Sequence, residues 1–333
     1  MKTLPRNTIL TGAADKALAG LLTGSVDCVV TSPPYANGLR RYSNSEDELG
    51  QEPNVTEYVT SLTAVLRQVR RLLKDSGSLW LNLGDSFSKH VRQGAPRGSL
   101  LLVPQRLALA LSADGWIVRN ICVWAKPNAM PQSAPDRLSP TYETIIFATK
   151  SRRYFFDLDA IRIPHRSADR ARPQARERSR RYQGGNSGLG RLKAAGRVGS
   201  ARGKNPGDVW TVPTATDRLG HQATFPEALV ERPILATCPE RICVQCDAAW
   251  TRPTRIRSRR TSEGMRHTRE VGELRRCDCF APSRPGVVLD PFMGTGTTAV
   301  VAERLRRDWL GVELNPSFTK LAEDRLRSAR REA

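Results

Sequence analysis

Apolar and polar positions alternate in two rhythms along the first half of the chain. Val26 to Val30, interrupted by Asp27 and Cys28, is a short run of the kind that forms a buried parallel strand. It is preceded by a strand-like start at Thr8-Ile9-Leu10 and a short helix over Asp15 to Leu22. From Asn54 to Lys74 the period changes to three and four residues. Val55, Tyr58, Val59, Leu62, Val65, Leu66, Val69, Leu72 and Leu73 make one apolar stripe, which predicts an amphipathic helix ended by Asp75-Ser76-Gly77. Ser78 to Leu83 reads as a strand closing on Gly84-Asp85. Leu100 to Leu111 reads as a helix, Ile117 to Trp124 as a strand stopped by Lys126-Pro127-Asn128, and Thr144 to Thr149 as a further strand. Strands alternating with helices predict an α/β fold, a doubly wound, mostly parallel sheet covered by helices on both faces.

The rhythm stops at Ser151. From there to about Pro206 arginine, glycine, proline and serine dominate, and few apolar residues remain to bury after Ile163. Such a segment packs no core of its own. A globular pattern returns at Trp210, with His221, Thr224, Phe225 and Pro226 leading into a helix over Glu227 to Leu235. His221 is read as a structural hydrogen-bonding residue sooner than a catalytic base. The loop Ala36 to Pro53, with Arg40, Arg41 and Tyr42, is either a solvated surface loop or a lid that touches a polyanion. The 333 residues carry 53 Lys and Arg against 33 Asp and Glu, a net charge of +20. That balance points to a nucleic-acid partner or an acidic membrane surface. No apolar run has membrane-spanning length, and Met1 to Asn7 has no signal-peptide core, so a cytoplasmic, nucleic-acid-facing protein without a membrane role is expected.

Four of the seven cysteines cluster late, as Cys243-Val244-Gln245-Cys246 and Cys277-Asp278-Cys279. Two thiolate pairs on tight turns can supply the four ligands of a structural zinc ion. The second spacing is one residue tighter than the usual knuckle, and Cys238 is a substitute ligand. Near the end, Gly286 to Leu289 predicts a strand, followed by Asp290-Pro291-Phe292-Met293-Gly294-Thr295-Gly296-Thr297-Thr298 and a helix over Ala299 to Arg307. Strand, glycine-rich turn and helix form a nucleotide-type pocket. No Gly-Lys-Ser/Thr follows, which argues against a phosphate-binding P-loop. A dinucleotide dehydrogenase would normally show a third glycine where Thr298 stands. The strand Trp309 to Val312 ends in Glu313, about 20 residues beyond Asp290, the usual distance for a carboxylate that holds ribose hydroxyls. The acidic Asp290 suits a ligand with a cationic amino-acid moiety better than a pyrophosphate.

A second motif completes the pattern: Ser32-Pro33-Pro34-Tyr35 directly follows the Val26 to Val30 strand. With this tetrapeptide and Asp290-Pro291-Phe292-x-Gly294-x-Gly296-Thr297-Thr298, the chain resembles the amino-methylating DNA methyltransferases, in the class whose catalytic motif precedes the S-adenosylmethionine motif. Gly77 to Asp85 and His221 to Pro226 resemble further family segments, and one departure is Gly12-Ala13-Ala14, where related chains often have an acidic residue right after the glycine. The resemblance implies a Rossmann-like S-adenosylmethionine-dependent methyltransferase fold with circularly permuted motif order. It implies Ser32, Pro33, Pro34 and Tyr35 as catalytic residues, and Asp290, Pro291, Phe292, Gly294, Gly296, Thr297, Thr298, Glu313 and Phe225 as cofactor contacts. The strand before Ser32 should lie beside the strand before Asp290.

The organisation expected is a catalytic half over 1–150, a basic DNA-recognition insertion over 151–209 and a return to the core over 210–237. A zinc-binding insertion over 238–282, with ligands Cys243, Cys246, Cys277 and Cys279, then precedes the S-adenosylmethionine half, 283–333. The implied reaction is methyl transfer to the exocyclic amine of a flipped base in double-stranded DNA. Ser32 at the first motif position favours N4 of cytosine over N6 of adenine, while RNA methylation and non-catalytic DNA binding stay open. A cognate restriction endonuclease acting on the same site stays open as a partner, as does the oligomeric state. Cys28 lies inside its strand, so carbon-5 chemistry through a cysteine nucleophile is not expected.

Overall fold

The computed structural model describes residues 4–36, 45–164, 203–215, 225–261 and 264–332. Two compact units divide the chain: Met1–Phe156 with Asp208–Ala249 and Ala281–Ala333, and Asp157–Gly207 with Trp250–Phe280. The first unit is built on an eight-stranded sheet. Its strands are β1 (Thr8–Thr11), β2 (Val26–Thr31), β3 (Leu73–Leu83), β4 (Ile117–Ala125), β5 (Tyr142–Thr149), β6 (Val209–Thr211), β12 (Val287–Asp290) and β13 (Asp308–Glu313). Their order across the sheet is β1-β13-β12-β2-β3-β5-β4-β6. Helices α1 (Ala14–Ala19), α2 (Val55–Leu72), α3 (Val103–Ala113), α5 (Glu227–Thr237), α6 (Thr297–Arg304) and α7 (Pro316–Glu332) belong to the same unit. None of the described helices is long and apolar enough to cross a membrane.

Period-two alternation on the strands sorts the core into two faces. Leu79, Leu81 and Leu83 of β3, with Val287 and Leu289 of β12, pack with the α2 stripe. Trp80 and Val288 point the other way, to Leu229, Val230 and Ile234 of α5 and Ala299 to Ala302 of α6. On that face Trp80 stacks on Phe147 at 4.0 Å between ring centroids, and its indole N–H donates to the Thr237 hydroxyl at 3.0 Å. Chain direction diverges at the centre: β2 runs through α2 to β3 on one side, and β12 through α6 to β13 on the other. Such a switch point opens a crevice at the carboxyl ends of the strands.

Three expectations are revised. The long helix begins as predicted, with the Asn54 side chain accepting from the Thr56 and Glu57 amides, but it gives way to β3 at Leu73, before the Asp75-Ser76-Gly77 turn. Leu73 is fully buried, and a Cβ on Gly77 would stand 2.7 Å from its Cδ2, so the glycine permits this direct transition. The sheet is also less parallel than the alternation suggested: β5 pairs antiparallel with both β3 and β4. The connection from Ala125 to Tyr142 holds four prolines and no helix, and a parallel return would need a crossover element. Finally, α7 was not read from the sequence, because its buried face is small, Ala322 and Leu326.

After α5 come the short strands β7 (Arg241–Cys243) and β8 (Ala249–Trp250), and β7 pairs with β11 (Ser283–Arg284). The second unit contains α4 (Leu158–Ile161) and a hairpin of β9 (Thr254–Thr261) and β10 (Gly264–Val271) within a stretch that reads only as polar and basic.

Leu66 is fully buried on the α2 stripe, whereas Arg67 is exposed and pairs with Asp114. Leu66→Ala is expected to cost about 2–5 kcal/mol in chemical denaturation, and Arg67→Ala at most about 1 kcal/mol.

Candidate active site

The centre of the sheet brings the two sequence motifs together. β2 and β12 run parallel, with Cys28 opposite Val288 and Val29 opposite Leu289. Ser32 to Tyr35 and Pro291 to Thr297 therefore leave adjacent strand ends, and both border one cavity of about 1790 Å³. That is larger than a site for one small ligand, commonly about 300–1,000 Å³. Asp290 ties the two motifs beneath it. One carboxylate oxygen accepts from the Thr31 hydroxyl at 2.6 Å and the Phe292 amide at 3.0 Å, and the other from the Thr298 hydroxyl at 2.7 Å. Full burial pushes this carboxyl up to about 6, against the pull of those donors. Asp290 and Thr298 thus lie under the site, and the sequence expectation that Asp290 faces a ligand's cationic group is replaced by an internal lock.

Of the other residues expected to hold a cofactor, Pro291, Phe292, Gly294, Thr297, Glu313 and Phe225 line the cavity. Gly294 has φ +53° and open space where a Cβ would stand, while a Cβ on Gly296 would meet the Ala322 side chain at 2.9 Å. The first glycine bares backbone to the cavity and the second packs the turn onto α7. Glu313 closes this end. Its carboxylate accepts from the Gly294 amide at 2.7 Å and the Asn315 amide at 2.8 Å, and burial outweighs these donors in raising its pKa. Gly12 lies on the same wall, its amide bonded to the Glu313 carbonyl at 2.9 Å, and Asp15 in the first turn of α1 supplies a carboxylate there.

The opposite wall carries Ser32, Pro33, Pro34 and Tyr35. The Tyr58 hydroxyl, from α2, donates to the Pro34 carbonyl at 2.7 Å and fixes the turn. Tyr35 lies flat on Gly84, where a Cβ would come within 2.6 Å of the ring, so only glycine lets the ring settle there. Its hydroxyl donates to Glu143 at 2.5 Å and accepts from the Asn82 amide at 3.0 Å. Burial, then the charge of Glu143, raises the Tyr35 pKa well above its ordinary value, keeping it a neutral donor. Lys126 completes the group through an ion pair with Glu143. Asn82, Lys126 and Glu143 escaped the sequence reading. Their signal was a polar residue at or beside the end of an otherwise apolar strand. Cys28 is buried in β2, where desolvation pushes its thiol up to about 12, so it presents no thiolate nucleophile.

His221, Arg40, Arg41, Tyr42 and most of the basic segment lie outside the described residues. Cys243 ends β7, and its carbonyl accepts from the Asp247 amide at 3.1 Å across a tight turn that carries Cys246. Cys277 and Cys279 are half-buried.

Residues 26–324 match the model of a family described as DNA methylase, of N6 and N4 type. The Type II methyltransferase M.SmaI of Serratia marcescens is 32% identical over 340 residues, covering 96% of this chain and 90% of its own. M.XycI of Xanthomonas campestris pv. cyanopsidis is 33% identical over 342 residues, covering 96% and 87%. Among solved structures, the PvuII DNA methyltransferase (cytosine-N4-specific) superposes with a TM-score of 0.58 at 17% identity, covering 98% of this chain and 92% of its own. A DNA modification methylase of Thermus thermophilus, complexed with S-adenosyl-L-methionine, gives a TM-score of 0.53 at 23% identity, covering 97% and 93%. These structures share the fold, an α/β sheet that is mostly parallel.

The Asp290 carboxyl sits at about 6 in the folded chain against an ordinary 3.8. The folded chain therefore holds that proton more tightly, and the contribution to stability is full below about pH 4 and lost as pH rises through about 6. Asp290→Asn is expected to gain on the natural chain by about 3 kcal/mol between pH 4 and 7 in denaturant titrations. A stability difference that stays flat with pH would contradict the lock.

Proposed function

The chain belongs to the amino-methylating DNA methylase family, and from that premise we propose that it transfers a methyl group from S-adenosylmethionine to N4 of a flipped-out cytosine in double-stranded DNA. The observation that carries this reading is the shared cavity, with Ser32 to Tyr35 on one wall and Pro291 to Thr297 with Glu313 on the other. The choice of cytosine rests on Ser32 at the head of the tetrapeptide, and the name of the PvuII neighbour is in line with it. N6 of adenine is the competing product within the same mechanism.

The residues present fit S-adenosylmethionine. Glu313 offers carboxylate lone pairs suited to ribose hydroxyls, Phe292 and Phe225 offer apolar walls, and Gly294 leaves backbone open. Asp15 and Glu313 place negative charge where a cationic ligand would lie. When bound, the cofactor supplies an electrophilic methyl group on a sulfonium. The chain must make the amine reactive and reachable. An exocyclic amine is a poor nucleophile because its lone pair is delocalised into the ring, and it is inaccessible inside a duplex, so the base is taken out of the stack. The Ser32 hydroxyl and the Pro33 carbonyl accept the amine hydrogens and draw the nitrogen towards tetrahedral geometry. The Pro34 carbonyl is already engaged by Tyr58. Tyr35, seated on Gly84, gives the ring a platform to stack on. Most of the catalysis is positioning.

In this reading the motif order marks the permuted class. Residues 1–150 and 283–333 form the catalytic and cofactor halves, joined through 210–237, and the arginine-rich stretch over 151–209 contacts phosphates. Residues 238–282 hold structural zinc. Cys243, Cys246, Cys277 and Cys279 offer one sulfur each, a ligand set able to hold a single metal ion. The protein works in the cytoplasm, and an endonuclease for the same site is its expected partner, as the relatives' Type II names suggest.

Ser32→Ala is expected to lower kcat roughly 100-fold or more while DNA affinity changes little, measured by transfer of labelled methyl groups to duplex DNA. Unchanged turnover would remove Ser32 from the mechanism. Purified protein is expected to carry about one zinc ion per chain and to melt lower after chelation. Metal-free protein with unchanged melting would refute the zinc site.

A further inference from the structure

Behind the tetrapeptide lies a polar network that the proposed mechanism does not yet use. Asn82 sits near the carboxyl end of β3, 3% exposed, on the wall of the cavity. Its side-chain amide nitrogen donates to Glu143 Oε2 at 2.7 Å and to the Tyr35 hydroxyl at 3.0 Å, and stands 3.5 Å from Ser32 Oγ. Glu143 comes from the start of β5 and is paired with Lys126, just after β4, through Oε1. Lys126 also lies over the Trp124 ring at 4.5 Å. Three strand ends therefore converge on one carboxamide.

The network fixes which way that carboxamide faces. The reverse orientation would set its oxygen against Glu143 Oε2, two acceptors at hydrogen-bond distance with no proton between them. With the nitrogen held on Glu143, the oxygen is turned away from it. Asn82 Oδ1 is buried and has no hydrogen-bond partner among the described residues. A buried polar atom without a partner is costly, of order 1–3 kcal/mol, and folded chains keep such atoms chiefly where a ligand completes them. Here the atom belongs to a residue on the cavity wall beside Ser32.

We propose that Asn82 is a catalytic residue whose carbonyl oxygen accepts a hydrogen of the target amine alongside Ser32, and that Glu143, fixed by Lys126, is the positioning residue that sets its orientation. This rests on the amino-methylation reading and deepens it. A neutral acceptor held rigidly draws the amine hydrogens without competing for the methyl group. The chain keeps it neutral by placing the one negative charge of the cluster on Glu143, where Lys126 balances it. The titratable groups facing Asn82 are Tyr35, from the turn after β2, and Glu143, from β5, with Lys126 behind Glu143.

The test exchanges the two groups. Asn82→Asp keeps the shape but sets two carboxylates against each other, so a proton must be shared between them. Its kcat is expected to fall at least about 100-fold at pH 8, recovering as pH is lowered, while S-adenosylmethionine affinity by calorimetry is unchanged. Adding Glu143→Gln restores an amide–carboxylate pair in reversed order and is expected to recover at least about tenfold at pH 8. Asn82→Ala, which introduces no charge, is the second variant, expected to bind cofactor normally with kcat lowered roughly 100-fold. Wild-type kcat in Asn82→Ala, or an Asn82→Asp profile that is flat with pH and not improved by Glu143→Gln, would overturn the proposal. The natural chain runs in the same assay. If it methylates no DNA, the amino-methylation reading itself fails. If it is active and the variants match it, only the role of Asn82 falls.

Discussion

A parallel strand pair buttoned at both ends holds this molecule to its function. At one end of β2 and β12, Asp27, 4% exposed, accepts from the Val287 amide at 2.9 Å and pairs with Lys74 at 3.1 Å. At the other end, Asp290 accepts from Thr31 at 2.6 Å and from Thr298 at 2.7 Å. Both carboxylates are buried, so each bond forms without competition from water, and losing one partner leaves a charge that nothing solvates. Segments more than 250 residues apart in the chain are thereby fixed in register. Once that register is set, the tetrapeptide and the glycine-rich turn can only emerge side by side.

The crevice follows from topology and the chemistry from what the strand ends carry. α2 and α6 lead away from the central pair in opposite directions and cover opposite faces. Nothing covers the carboxyl ends except the motifs. Glycines then set the fine geometry: Gly84 lets Tyr35 lie flat, and Gly296 lets the cofactor turn close on α7. A chain of net charge +20 nevertheless lines this cavity with Asp15, Glu143 and Glu313. Basic surface to attract a polyanion and an acidic interior to take a cationic donor are what a methylase using S-adenosylmethionine needs.

Much of this was legible in the sequence, and the gaps have physical causes. Strands with both faces buried announce themselves as apolar runs, which is how β2, β3 and β12 were found. The amphipathic stripe gave α2 within two residues. The antiparallel β4–β5 pair was misjudged because strand pattern does not encode direction; four prolines between Ala125 and Tyr142 carried that information. Asp290 was assigned to a ligand because sequence shows a residue type but not which way it points. The same blindness hid Asn82, Glu143 and Lys126. Each looks like an ordinary polar residue at a strand end, and their meaning arises only where β3, β4 and β5 meet.

The central claim is that the two motifs form one methyl-transfer site for an exocyclic amine. Nucleoside mass spectrometry of DNA incubated with the purified protein and S-adenosylmethionine tests it most directly. The account predicts N4-methylcytosine. N6-methyladenine in its place would keep the site but overturn the assignment of the base. The absence of any methylated exocyclic amine, across DNA sources of differing sequence, would contradict the account.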